Sequence, residues 1–194
     1  MREHQSVSAA LASRLAAALS TFMPAKAQYT RDLVADLLAS ARRRLRLGRH
    51  EDTLLRAYRV LELMGQARLY DHGLESDRID QTHPGFVKFR QEKAGKRETL
   101  VPDRRGQISL ARENVARLLK SMEDGFGNKL LDAVEFKGTK ERNHSLLIHG
   151  FEAHSAAAPV ADLEALLDSL ERLFDEENPA NGERMEAARF PFGG

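Results

Sequence analysis

The stretch from Glu141 to Phe151, "ERNHSLLIHGF", sets an arginine, an asparagine and two histidines among leucines and an isoleucine. On a helix turning about 100° per residue, Arg142, Ser145, Leu146 and His149 share one face, at i, i+3, i+4 and i+7. Asn143 lies about 100° from Arg142, and His144 about 140° from His149, so the two histidines do not converge. His144, His149 and His154 follow at intervals of five, which does not gather metal ligands on one helix face. Arg142 and His149 stand two turns, about 10 Å, apart along the axis. Both can reach one elongated anion, or a second copy of themselves. A phosphodiester suits the pair. Arginine offers a permanently charged planar fork to the non-bridging oxygens, and histidine titrates near neutrality and moves a proton either way. If the substrate is RNA, its own 2′-hydroxyl attacks the phosphate, and the protein supplies charge stabilisation and proton transfer. The same spacing also describes an ordinary surface arginine and a half-buried histidine. Geometry alone leaves both readings open.

The elements that must hold this segment are helical. Val7, Leu11, Leu15, Leu19 and Phe22 form a stripe that Pro24 closes, which predicts an amphipathic helix appended within residues 1–27. A second helix is expected from Thr30, a fitting N-cap, to Leu47, with Leu33, Leu37, Leu38, Ala41 and Leu45 inward and Gly48 ending it. The next runs from about His50 to His72 before Gly73. It is apolar on more than one side and belongs at the centre. From Leu74 to Gly106 prolines, glycines and charges break the pattern, predicting a long charged excursion with at most short structure. Helix returns at Ser109–Met122, with Ser109 as cap; a turn or short helix follows at about Asn128–Val134, then helices at about Lys140–Gly150 and at Val160–Glu176. The last has the stripe Leu163, Leu166, Leu167, Leu170 and Phe174. The expectation is an all-α bundle of five to seven helices. It forms a single domain over 1–177 with a loosely ordered tail over 178–194.

Composition narrows the chemistry. The chain has 194 residues, no cysteine and a net charge of +1. Disulfides, thiolate zinc sites and a cysteine nucleophile are therefore excluded. No apolar run approaches the roughly 20 residues of a membrane span. A cytoplasmic protein without a membrane partner is expected. The near-neutral total hides two basic blocks, Arg42, Arg43, Arg44, Arg46 and Arg49, then Arg90, Lys93, Lys96, Arg97, Arg104 and Arg105. Either is a solvated face or a local path for a polyanion. Residues 162–177 are acidic and expected to face solvent.

"RNHSLLIHGF", an Arg-Asn pair with six residues between Arg142 and His149 and then Gly-Phe, resembles the active-site motif of HEPN-domain ribonucleases. It is most similar to the C-terminal HEPN domain of type III CRISPR-associated ribonucleases that carry a CARF sensor. "LLRAYRVLELMGQARLYDHGL", Leu54 to Leu74, resembles a helix of the same group through Tyr58, Arg59, Glu62, Gln66 and Leu69. The resemblance spans about Gln28 to Asp175. It implies a HEPN-like helical bundle that homodimerises, bringing two Arg/His pairs to one composite cleft. It further implies cofactor-free, metal-independent cleavage of single-stranded RNA, leaving a 2′,3′-cyclic phosphate and a 5′-hydroxyl, in antiviral defence. Arg142 would stabilise the scissile phosphate, His149 would transfer a proton or hold the phosphate, and Asn143 would support the geometry. Ser145 is a supporting candidate. Arg59 and Glu62 are either a local ion pair or a shell behind the catalytic helix. Tyr58 and Tyr70 read as core and rim aromatics. Arg42, Arg43 and Arg46 are candidates for an RNA path. No βαβ pattern or Gly-rich loop marks a CARF sensor, so cyclic oligoadenylate would act only through a domain outside this chain. The alternative is a catalytically silent HEPN-like module for dimerisation or RNA binding.

Overall fold

A computed structural model of the chain describes residues 30–93, 100–135 and 160–189. Among these residues the chain is all-α, with seven helices and no strand. They are α1 (Arg31–Arg46), α2 (His50–Asp71), α3 (Pro84–Lys93), α4 (Arg112–Ser121), α5 (Gly125–Glu135), α6 (Val160–Glu177) and α7 (Asn181–Ala188). The helix expected within 1–27 and the one expected over 140–150 lie outside the described residues.

Thr30 caps α1 as its residue type predicts, its Oγ1 accepting from Leu33 N at 3.4 Å. The buried stripe is rotated from the expected one. Val34, Ala35, Leu38, Ala41 and Leu45 are buried, whereas Leu33 is exposed. Spacings of four, three and four from Val34 through Leu38 and Ala41 to Leu45 follow the helical period more closely than a stripe begun at Leu33. Gly48 (φ +68°) and Gly73 (φ +77°) end α1 and α2 in the left-handed region, as their positions predict.

α2 is the central helix, packed against α1, α4, α5 and α6. Leu54, Val60, Leu61, Leu63, Met64 and Leu69 point into the core from several sides of it. α3 departs from the expected excursion. Pro84 occupies its first turn, where the missing N–H costs nothing, and the His83 ring Nδ1 accepts from Gly85 N at 3.2 Å. Phe86 and Phe89, one turn apart, are both buried. Burying each contributes about 2–3 kcal/mol, enough to order a charged segment.

Ser109 does not cap α4. The chain over 108–110 is held to the 76–79 segment by Ile79 N donating to Ile108 O at 3.0 Å and Leu110 N to Ser76 O at 2.7 Å. Helix therefore begins at Arg112, with Ala111 as N-cap and no side-chain bond.

α4 and α5 meet backbone to backbone. A Cβ built on Gly127 would fall 2.4 Å from Lys120 N and 2.9 Å from the Leu119 carbonyl carbon. The tail reading is corrected at α7. This helix packs on α1 and α6, burying Met185, and Asn181 Nδ2 donates to Phe174 O at 2.6 Å. Met185 supplies the apolar anchor that turns a polar, Gly-containing segment into part of the helical body.

Candidate functional site

Arg142, Asn143, Ser145 and His149 all lie outside the described residues. The described structure fixes the two ends from which their segment departs. α5 runs to Glu135 and α6 starts at Val160. The two helices pack together, and Lys129 Nζ bonds Glu176 Oε2 at 2.6 Å.

The start of α5 is anchored from an unexpected direction. Glu123 takes a left-handed conformation (φ 65°), which lets Asp124 cap α5. Asp124 Oδ1 accepts from Phe126 N at 2.9 Å, while Oδ2 takes Arg68 Nε and lies against His72 Nε2, both at 2.7 Å. Arg68, in the last turn of α2, and His72, its C-cap, are i, i+4. Arg68 also approaches Glu177 at the end of α6, at 3.7 Å, and Glu177 is bonded by Arg31 of α1 and by Asn181 of α7. The carboxylates of Asp124 and Glu177 are almost fully buried, each 2% exposed. One charged cluster therefore ties the ends of α1, α2, α5, α6 and α7. Its members lie up to 146 residues apart along the chain, and the sequence signals only Asp124, as an N-cap before Gly125.

Burial pushes the Asp124 carboxyl up, but the bonds from Arg68, His72 and Phe126 N–H outweigh it and hold it below the usual carboxylate range. A carboxylate depressed in the folded state adds stability above its unfolded pKa, about 3.9, and loses it as pH falls through the folded value. Wild-type protein is expected to melt well above Asp124→Asn at pH 7. The gap should narrow steadily below about pH 4. A gap of constant size down to pH 3 would contradict this role for the carboxylate.

Arg59 and Glu62 form a local pair at 2.9 Å on α2, with Arg59 exposed. Gln66, the next member of that motif, donates to Ser76 Oγ at 3.0 Å, and Leu69 is buried. Tyr58 is half-buried beneath the Arg112 guanidinium, 3.9 Å from ring centre to Cζ. This is a cation–π stack rather than an open platform for a base.

The basic block on α1 is largely answered by carboxylates. Arg42 is bonded to Glu171 at 2.8 Å and to Asp168, both on α6. Those acidic side chains serve α1 instead of facing solvent alone. Arg43 stands 3.9 Å from Asp36, and Arg44 3.9 Å from Asp52. Arg42, Arg43, Arg46 and Arg189 line a cleft of about 1030 Å³ between α1, α6 and α7, but Glu164 and Glu171 line it too. The cleft is mixed in sign.

Among the described residues, no helix is long and apolar enough to cross a membrane. Nor is any group of three His, Cys, Asp or Glu side chains placed to hold a metal ion among them. A family model described as the Csm6 HEPN domain matches residues 24–175. No curated protein matches the chain, and no solved structure does.

Proposed function

The chain belongs to the Csm6 HEPN domain family, CRISPR-associated and of ribonuclease type, and from that premise we propose that it is a metal-independent endoribonuclease acting on single-stranded RNA. The observation that carries the reading is the family match over 24–175, which contains both the Arg142–His149 motif and the Tyr58–Leu69 motif. In the proposed reaction the 2′-oxygen forms a bond to the adjacent phosphorus while the bond from phosphorus to the 5′-oxygen breaks. The 2′-hydroxyl proton leaves to a base, and a proton is delivered to the departing 5′-oxygen. His149 moves one of these protons, and Arg142 stabilises the charge on the non-bridging oxygens. Asn143 and Ser145 hold the geometry. Arg59 and Glu62, paired on the central helix, are given a supporting role in this reading.

On the helix expected from the sequence, Arg142 and His149 would stand two turns apart, which favours a site completed by a second copy. Two antiparallel copies of the helix would place the Arg of one near the His of the other. The purified chain is therefore expected to sediment as a dimer and to cleave an unstructured RNA in EDTA. A dimer that binds RNA without releasing products would favour the catalytically silent module instead. A monomer with full activity would remove the composite site.

A further inference from the structure

The RNA-path candidates on α1 have their charges shared with α6, yet a second basic element is presented differently. Residues 101–107 form a tight turn built on Asp103. Its Oδ1 accepts from Arg105 N and from Gln107 N, both at 2.8 Å. Its backbone closes the turn: Asp103 N donates to Gln107 O at 2.8 Å and Gly106 N to Asp103 O at 2.9 Å. Gln81 Nε2 fastens the tip by donating to Gly106 O at 2.8 Å. Immediately after it, Ile108 and Leu110 are buried and bonded to the 76–79 segment. A short turn is thus bolted to the core at its base.

Arg104 and Arg105 stand on this turn, both exposed. Among the described residues neither has a carboxylate within ion-pair distance. The only acid in the turn, Asp103, spends its Oδ1 on the backbone. Val101 beside them is 74% exposed, the most open large apolar side chain described. Two unpaired guanidiniums on adjacent residues of a preformed turn lose little freedom when they engage an anion. Successive phosphates of a strand supply two such anions, and guanidinium planes also stack on unpaired bases.

We propose that the Asp103 turn is a phosphate clamp for single-stranded RNA, gripping the strand outside the scissile position through Arg104 and Arg105. This rests on the RNA reading above and adds a docking point to it. It differs from the α1 path in that its charges are not already neutralised.

The test compares wild type with an Arg104→Gln/Arg105→Gln double variant, and with Asp103→Ala, which loosens the turn but keeps both arginines. Fluorescence anisotropy on a labelled oligouridylate at several salt concentrations gives affinity and salt dependence. Removing two phosphate contacts should lower the slope of log K against log salt by about 1.4. Affinity at low salt should fall roughly tenfold, with the melting temperature unchanged. Asp103→Ala should weaken binding several-fold at an unaltered slope. In cleavage assays the double variant should raise KM on the long strand and leave kcat unchanged.

Unchanged RNA affinity and slope in the double variant would overturn the clamp. Such a result together with lost binding to phosphatidylserine vesicles would assign the turn to a membrane surface. If wild type binds RNA through these arginines but never cleaves it, the clamp stands and the nuclease reading falls. If wild type cleaves and the double variant has the wild-type slope, only the clamp falls.

Discussion

Replacing His149 by Ala is expected to slow cleavage of single-stranded RNA roughly 10²–10⁴-fold, the range a single positioned acid or base contributes. Arg142→Ala should cost about 10²–10³-fold, as for removal of one donor to a developing oxyanion charge. The two effects should not multiply in the double variant, because each residue is useful only when the other has placed the phosphate. His144→Ala is the internal comparison. On the helix expected from the sequence His144 would lie about 140° from His149, so this variant should cleave at close to the wild-type rate. Initial rates on a fluorogenic RNA, with melting temperatures to confirm folding, check all four proteins. Wild-type rates in the His149 variant, or equal losses in the His144 and His149 variants, would remove the assignment.

Gly127→Ala is expected to destabilise the protein by about 3 kcal/mol, because a methyl group there meets main chain rather than a side chain that can turn away. The nearest atoms are Lys120 N at 2.4 Å, the Leu119 carbonyl carbon at 2.9 Å and Ala116 O at 3.0 Å. α5 must therefore lift off α4 or abandon its first turn. For a chain of this size the melting temperature should fall roughly 6–12 °C. Gly125, two residues earlier, has nothing within 4 Å of an added Cβ. Gly125→Ala should be neutral or stabilising by roughly 0.5 kcal/mol. The contrast separates close approach from the general effect of removing a glycine. α5 leads directly to residue 136, so Gly127→Ala should also lower RNA cleavage more than its folded fraction explains. Equal melting temperatures for the two variants would refute the close-contact account.

Where the apolar period was long and regular, the fold could be read from the residues. Leu163, Leu166, Leu167, Leu170 and Phe174 were expected inward on α6, and all are buried. α2 was expected to be central from its apolar residues on several sides, and it packs against four helices. α3 escaped because only Phe86 and Phe89 carry its inward face, and two residues do not establish a period among lysines and arginines. α7 escaped for the same reason, since Met185 is its principal anchor. The helix membership of the family motif at Tyr58–Leu69 was legible, and so was the local Arg59–Glu62 pair. What no local pattern could show was the partner of each charge. Arg42 stood in a run of arginines that suggested an open basic face, yet Asp168 and Glu171 answer it from more than a hundred residues away. Arg68, His72, Asp124 and Glu177 likewise meet only once five helix ends converge. Tertiary ion pairing is a property of the packed bundle, and spacing within one helix does not encode it.

The central claim is that this fold cleaves RNA using the substrate's own 2′-hydroxyl, with Arg142 and His149 as its catalytic groups. Analysis of the product ends tests it most directly. Wild-type protein is incubated with a defined single-stranded RNA in EDTA, and the fragments are resolved by mass spectrometry, beside a substrate carrying a single 2′-deoxy nucleotide at the cleaved position. The account predicts a 2′,3′-cyclic phosphate on the upstream fragment, a 5′-hydroxyl on the downstream one, and no cut at the deoxy position. Cleavage that needs a divalent cation, leaves a 5′-phosphate and proceeds at the deoxy position would contradict it.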